Sequence, residues 1–192
     1  MKRTFLTYLP FLLIASLIIA LDQWTKTLVR ENIPFGGTWL PDGWDWLSPY
    51  ARIVHWQNSG AAFGLFQNGN LVFSVLAIIV IIVIIYYYPQ VDPADWSLRV
   101  AMAMQTAGAA GNLLDRLMHQ EVTDFISVGI FPVFNVADAS ITVGVAVLLL
   151  GVWIKERAER REQLTENREQ LSVTSEQAQV NSDQSQVGDT VN

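Results

Sequence analysis

The chain has 192 residues, 51% of them hydrophobic and only 16% charged, with a formal net charge of −6 and no cysteine. That is more apolar surface than one soluble core of this size readily hides, and it points to a membrane protein. Without cysteine there is no disulfide, thiol nucleophile, thiolate metal site or lipidated cysteine, so any catalysis must use oxygen or nitrogen groups.

In chain order, Phe5 to Leu21 is nearly all aliphatic and follows Lys2 and Arg3. It exceeds the roughly 7 to 15 residues of a signal-peptide core, and no small-x-small cleavage pattern follows it, so it reads as a retained span. Asp22 and Lys26 come next, four apart; if the helix continues they share a face and pair as carboxylate and ammonium. Residues 22–70 then form an outer loop in which Trp39, Trp44, Trp46 and Trp56 interleave with Gly36, Gly37, Pro41, Gly43 and Pro49. This mixture suits short strands at the membrane interface or an anchoring belt of rings, and Ala51 to Gln57 is a candidate strand.

Leu71 to Tyr88 is the most apolar segment, and a short acidic turn, Pro89 to Trp96, separates it from Leu98 to Leu114. The latter contains Gln105, Thr106 and many Ala and Gly, which lowers its hydropathy but suits a helix packed among helices. Ala103, Ala107, Gly108 and Gly111 fit either a substrate groove or close packing, and packing is the favoured reading. Val136 to Ile154 is the fourth apolar stretch. Each of the four approximates the roughly 17 to 25 residues a spanning helix needs. From Lys155 the chain turns rich in Glu, Gln, Ser and Asn, with eight acids against five bases, and reads as a helical stub fading into disorder.

The expected fold is therefore an all-α membrane protein of four transmembrane helices with a small strand-containing extracytoplasmic subdomain. Residues 1–154 make the membrane domain and 155–192 a cytoplasmic, largely disordered tail. Lys2 and Arg3 at one terminus, with Lys155, Arg157, Arg160 and Arg161 after the last span, put both termini in the cytoplasm by the positive-inside rule.

Chemistry concentrates at the outer boundary. Asp138 opens an apolar run long enough to cross a bilayer, where a carboxylate is costly and suggests function; Asp124 can lie opposite it. Asn112, Asp115 and Arg116 fall at i, i+3 and i+4, and Asn135 and Asp138 repeat the i, i+3 relation. If the third and fourth helices are antiparallel neighbours, Asn112, Arg116, Asp124, Asn135 and Asp138 reach one membrane depth. Each group taken singly also has a structural role open to it, including a first-turn acid at Asp138 favoured by the helix dipole. Two close carboxylates sharing a proton can activate a water. A proton-coupled carrier or a non-catalytic assembly factor are the competing classes, although no internal repeat supports a carrier. His55 and His119 are too isolated for a zinc site, so no metal or cofactor is expected, and basic density is too low for a nucleic-acid partner.

The blocks Asp-Gln-Trp-Thr-Lys at 22–26, Asn-Ser-Gly-Ala-Ala-Phe-Gly at 58–64, Gly-Asn-Leu-Leu-Asp-Arg-Leu at 111–117, Val-Thr-Asp-Phe-Ile at 122–126 and Phe-Asn-Val-Ala-Asp at 134–138 resemble lipoprotein signal peptidase, also called signal peptidase II. The resemblance covers roughly residues 5–155. It implies a bacterial inner-membrane aspartyl endopeptidase, working as a monomer near the outer leaflet, that cuts lipid-modified prolipoproteins just before a diacylglyceryl-bearing cysteine. Asp124 and Asp138 match its catalytic pair. Asp22, Lys26, Asn58, Gly60, Asn112, Arg116 and Asn135 fall at positions that bind substrate or organise the site, with Asp115 supportive. Thr123, Ala139 and the Met-His-Gln-Glu turn at 118–121 depart from the family pattern.

Overall fold

The computed structural model describes residues 2–59 and 69–189; Gly60, assigned above to the site, lies outside the described residues. Four long helices and a three-stranded sheet account for most of them: α1 (Lys2–Asn32), β1 (Thr38–Trp39), β2 (Ala51–Asn58), α2 (Asn70–Tyr87), α3 (Trp96–His119), β3 (Val122–Val128) and α4 (Val136–Asp189). Among the described residues three helices are long and apolar enough to cross a membrane, over Thr7–Asn32, Asn70–Gln90 and Val136–Thr165. The fourth expected span, α3, has 24 residues and therefore the length, but its composition is that of an interior helix. Ala101, Ala103, Ala107, Gly108, Gly111, Asn112 and Asp115 are all buried. α3 owes its modest hydropathy to small and polar residues facing neighbouring helices instead of lipid.

Close approach explains the glycines. A Cβ on Gly108 would collide with the Ala137 carbonyl oxygen, and one on Gly111 would lie 2.6 Å from an Asp22 carboxylate oxygen. The small-residue stripe therefore serves packing, of α3 against α1 and against the first turns of α4. Away from the sheet, Phe11, Ile84, Tyr88, Met102 and Ala103 form a buried cluster. There the Arg99 guanidinium lies 4.4 Å from the Tyr88 ring centroid and donates to the carbonyls of Thr7 and Val91 at 3.0 and 3.2 Å.

α1 does not stop where its apolar run stops. It continues through Asp22 to Asn32, so the first eleven residues of the expected outer loop are helical. Beyond it the sheet has the order β1-β2-β3, antiparallel throughout. β2 matches the expected strand to within a residue. β3 is not among the strands expected from the sequence, although Val-Thr-Asp-Phe-Ile-Ser-Val is rich in β-branched residues.

Between Ile53 and Trp56 the register of β2 slips by one: Ile53 pairs with Ile126, but Trp56 pairs with Asp124 and Asn58 with Val122. The extra residue makes a bulge, and Val54 and His55 are consequently both buried although adjacent. Because side chains alternate along a strand, that one residue decides which face Asn58 presents: with the slip it lies on the face of Asp124. Below the opposite face, Val29, Ile33 and Phe125 form a second buried cluster that fixes the sheet to the end of α1.

The chain divides into two compact units, residues 1–149 and 150–192. The backbone of the second stays helical to Asp189, farther than the short stub expected, through a stretch dominated by Glu, Gln and Arg, which are good helix formers.

Candidate active site

α4 begins with a reciprocal lock. The Asn135 side-chain oxygen accepts the Asp138 backbone N–H at 3.0 Å, while the Asp138 carboxylate accepts the Asn135 backbone N–H at 3.2 Å. This is a capping box written with Asn and Asp, and it satisfies two orphan donors of the helix end. A third donor, the Ala137 N–H, goes to Asp22 on α1 at 2.9 Å. The sequence alternative of a first-turn acid is thus part of the answer: Asp138 caps its own helix and is held in one rotamer by doing so.

The same Asn135 reaches the other carboxylate. Its Nδ2 donates to Asp124 at 2.7 Å and to the Asn112 side-chain oxygen at 3.1 Å. Asn58 donates to the second Asp124 oxygen at 3.1 Å, and Asn112 donates to Asp138 at 2.8 Å. Three asparagines from β2, α3 and the start of α4 therefore clamp two aspartates. Burial pushes the Asp124 carboxyl up to about 7, and the negative charge of Asp138 adds to the rise; the amides of Asn58 and Asn135 and the charge of Lys26 oppose it.

Beneath this pair lies a buried ionic cluster. Lys26 is fully buried and meets Asp22 at 2.9 Å, Asp115 at 3.1 Å and the Asn112 oxygen at 3.0 Å. Asp115 also faces Arg30 at 3.5 Å and accepts the Thr123 backbone N–H at 3.0 Å. Arg30 donates to the Thr123 hydroxyl at 3.1 Å, so the polar residue at this unusual position has a defined partner. Gln23 donates to Asp22, to the Gly111 carbonyl and to Asp115 at 3.1, 3.1 and 3.3 Å. The expected Asp22–Lys26 pair is present and extends into a network that fixes α1, α3 and β3 together. Gln23 and Arg30 are not among the residues singled out from the sequence, and Asp115 stands in the supporting cluster. The available signal was a polar stripe at 22, 23, 26 and 30, one face of a helix.

Both aspartates line a cavity of about 360 Å³, together with Asn58, Asn112, Arg116, Phe131 and Phe134. A second cavity of about 270 Å³ shares Phe73, Asn112, Arg116 and Ile141 with it and runs between α2 and α3 past Leu76, Val80 and Ala109. Arg116 donates to the Asn112 backbone carbonyl at 3.4 Å, and its guanidinium lies 5.5 Å from the Phe73 ring centroid. Among the described residues its buried Nε has no hydrogen-bond partner. The amides of Asn58 and Asn135 hold Asp124. At the Met-His-Gln-Glu turn, Gln120 adopts φ +68° as the left-handed cap of α3, the place glycine takes most easily.

The arrangement is that of two carboxylates, poised by amides, in a partly apolar cavity beside helices of membrane-spanning length. The model for signal peptidase (SPase) II matches residues 14–154. The chain belongs to the signal peptidase II family. The lipoprotein signal peptidase of Shouchella clausii is 40% identical over 150 residues, covering 78% of this chain and 96% of that one. That of Moorella thermoacetica is 36% identical, covering 80% and 99%. A solved structure described as a bacterial membrane enzyme aligns with a TM-score of 0.69 at 29% identity, over 77% of this chain and 89% of its own. All five blocks that resemble signal peptidase II lie inside the matched region, and the tail lies outside it. The family is one of bacterial membrane proteases, and the apolar helices of this member fit that setting.

Proposed function

We propose that this signal peptidase II family member is an intramembrane aspartyl endopeptidase that removes the signal peptide from diacylglyceryl-modified prolipoproteins, cutting before the lipidated cysteine. The observation that carries the reading is the pair Asp124 and Asp138, both bonded to Asn135 and both lining one cavity. In this reading all four helices span the bilayer, α3 enclosed by the others, and the sheet lies on the extracytoplasmic side. Both termini are cytoplasmic. Arg99 supports that sidedness, since its bond to the Thr7 carbonyl puts a further fixed cation at the N-terminal end of α1.

The chemistry follows from the clamp. The two carboxyls share one proton; in the proposed order Asp124, whose carboxyl is pushed up to about 7, donates it and Asp138, in the first turn of α4, acts as the base. Asp138 takes a proton from the attacking water as its oxygen bonds to the scissile carbonyl carbon, while Asp124 gives its proton to the carbonyl oxygen. As the resulting gem-diol collapses, the C–N bond breaks, the amine takes the proton held by Asp138, and Asp124 recovers one from a diol hydroxyl. Arg116 remains a cation and is suited to holding a substrate carbonyl with its unpartnered Nε. The groove between α2 and α3 suits the apolar signal segment, and the exposed Trp39, Trp44, Trp46 and Trp56 suit the lipid interface.

Cleavage of one precursor with and without its diacylglyceryl group, in detergent or vesicles, tests this directly. The lipidated form is expected to be cut and the bare form to be a poor substrate. Equal rates on both would show a more general protease.

A further inference from the structure

The connection from β3 to α4 is an ordered hairpin with an unusual tip. Phe134 bonds back to Ile126 in both directions, at 3.1 and 2.8 Å, and closes the intervening residues into a loop. At its turn Gly129 has φ +52°, its N–H bonds to the Tyr50 carbonyl at 2.7 Å, and the Phe131 N–H bonds to the Val128 carbonyl at 2.9 Å. The loop is therefore fixed at base and tip. Yet Ile130 is 105% exposed, Phe131 64% and Val128 45%. From Phe125 to Ala137 no residue carries an ionisable side chain.

Single exposed apolar residues are ordinary, but a rigid, uncharged projection with an aliphatic and an aromatic residue at its crest is not. What covers it is indicated by its position. α4 begins at Val136, six residues beyond Ile130, and is one of the helices long and apolar enough to span. The crest is tethered within about 20 Å of the point where that helix meets the bilayer, since six residues extend no farther. Phe131 faces two ways, lining the carboxylate cavity while remaining mostly exposed.

We propose that this hairpin is a membrane-dipping finger: Val128, Ile130 and Phe131 immerse in the acyl region of the adjacent leaflet, and Phe131 joins that lipid to the Asp124 and Asp138 cavity. Immersion needs only the membrane placement of α4. Its consequence, that acyl chains of an anchored substrate reach the site along the finger, rests on the peptidase reading above.

Because the chain lacks cysteine, a nitroxide can be attached at single introduced sites. Ile130→Cys is compared in phospholipid vesicles with Leu76→Cys on the exposed face of α2 and with Asp42→Cys in the exposed β1–β2 loop. The Ile130 label is expected to collide more with dissolved oxygen than with an aqueous nickel chelate, as the Leu76 label does. A label at Ile130 that behaves like the one at Asp42 overturns immersion, and this readout does not depend on whether the chain cleaves anything. For the substrate route, Ile130→Asp is expected to raise KM for a vesicle-held lipidated precursor about tenfold with kcat retained, and Ile130→Trp to restore it, as an interfacial anchor would. An unchanged KM in Ile130→Asp overturns that route while leaving the label result standing.

Discussion

Four aspartates crowd the sheet end of the helices, and they divide into two pairs. Asp22 and Asp115 are fully buried and face cations, Lys26 for both and Arg30 for Asp115. Asp124 and Asp138 are bonded to neutral amides, from Asn58, Asn112 and Asn135. A carboxylate locked to an ammonium is tied to its partner and serves the fold. One held by amide donors in a desolvated cavity keeps its geometry without being committed to a charge, which is what proton exchange requires. In the proposed reading the same residue type thus does two jobs, and the partner decides which.

Neutralising one acid at a time in each pair separates the jobs. Asp124→Asn and Asp138→Asn are expected to lower kcat by about 10⁴-fold or more while the chain still folds and inserts, because the amide replaces the carboxylate in size but cannot exchange the proton. Retained cleavage by either variant would remove the proposed pair. Asp115→Asn should behave in the opposite way. It leaves Lys26 and Arg30 short of a counter-charge and is expected to cost about 3 to 5 kcal/mol of stability, seen as a lowered unfolding temperature in detergent. A variant as stable as the parent but inactive would move Asp115 into the reacting pair.

Asn112 touches both sets, accepting from Lys26 and donating to Asp138. Asn112→Ala is expected to lower kcat about 10²-fold, with a smaller loss of stability than Asp115→Asn; unaltered turnover would show that the two sets are independent. The gentlest test is titration. With the Asp124 carboxyl near 7, its proton is present below that pH and lost above it, so kcat/KM should fall about tenfold per pH unit on the alkaline side. The Asn58 amide favours the ionised form, so Asn58→Ala should shift the alkaline limb to higher pH. A limb that stays put in that variant would mean another group controls it.

Much of this contrast was written in the chain. The spacing of Asp22 and Lys26 announced an ion pair, and the spacing of the polar groups at 112, 116, 135 and 138 announced faces that could converge, because helical periodicity converts sequence separation into direction. The partners of that ion pair were harder to see. Asp115 and Arg30 are brought to Lys26 by the crossing of α1, α3 and β3, and single-helix spacing contains nothing about crossings. The end of α1 was misplaced for a related reason: hydropathy measures where lipid ends, and the helix goes on to Asn32. β3 escaped because a seven-residue strand with Thr123 and Asp124 inside it breaks any simple alternation, its residues from Val122 to Phe125 being buried on both faces.

The slipped pairing in β2 has an evolutionary corollary. Deleting one residue at Val54 or His55 would realign the strand by a single step and swing Asn58 to the far side of the sheet, away from Asp124, with hardly any change in length or hydrophobicity. Descendants of this chain that keep the Asn58 amide on Asp124 can therefore gain or lose residues in that strand only two at a time, so even-numbered indels there mark lineages in which the donor still matters.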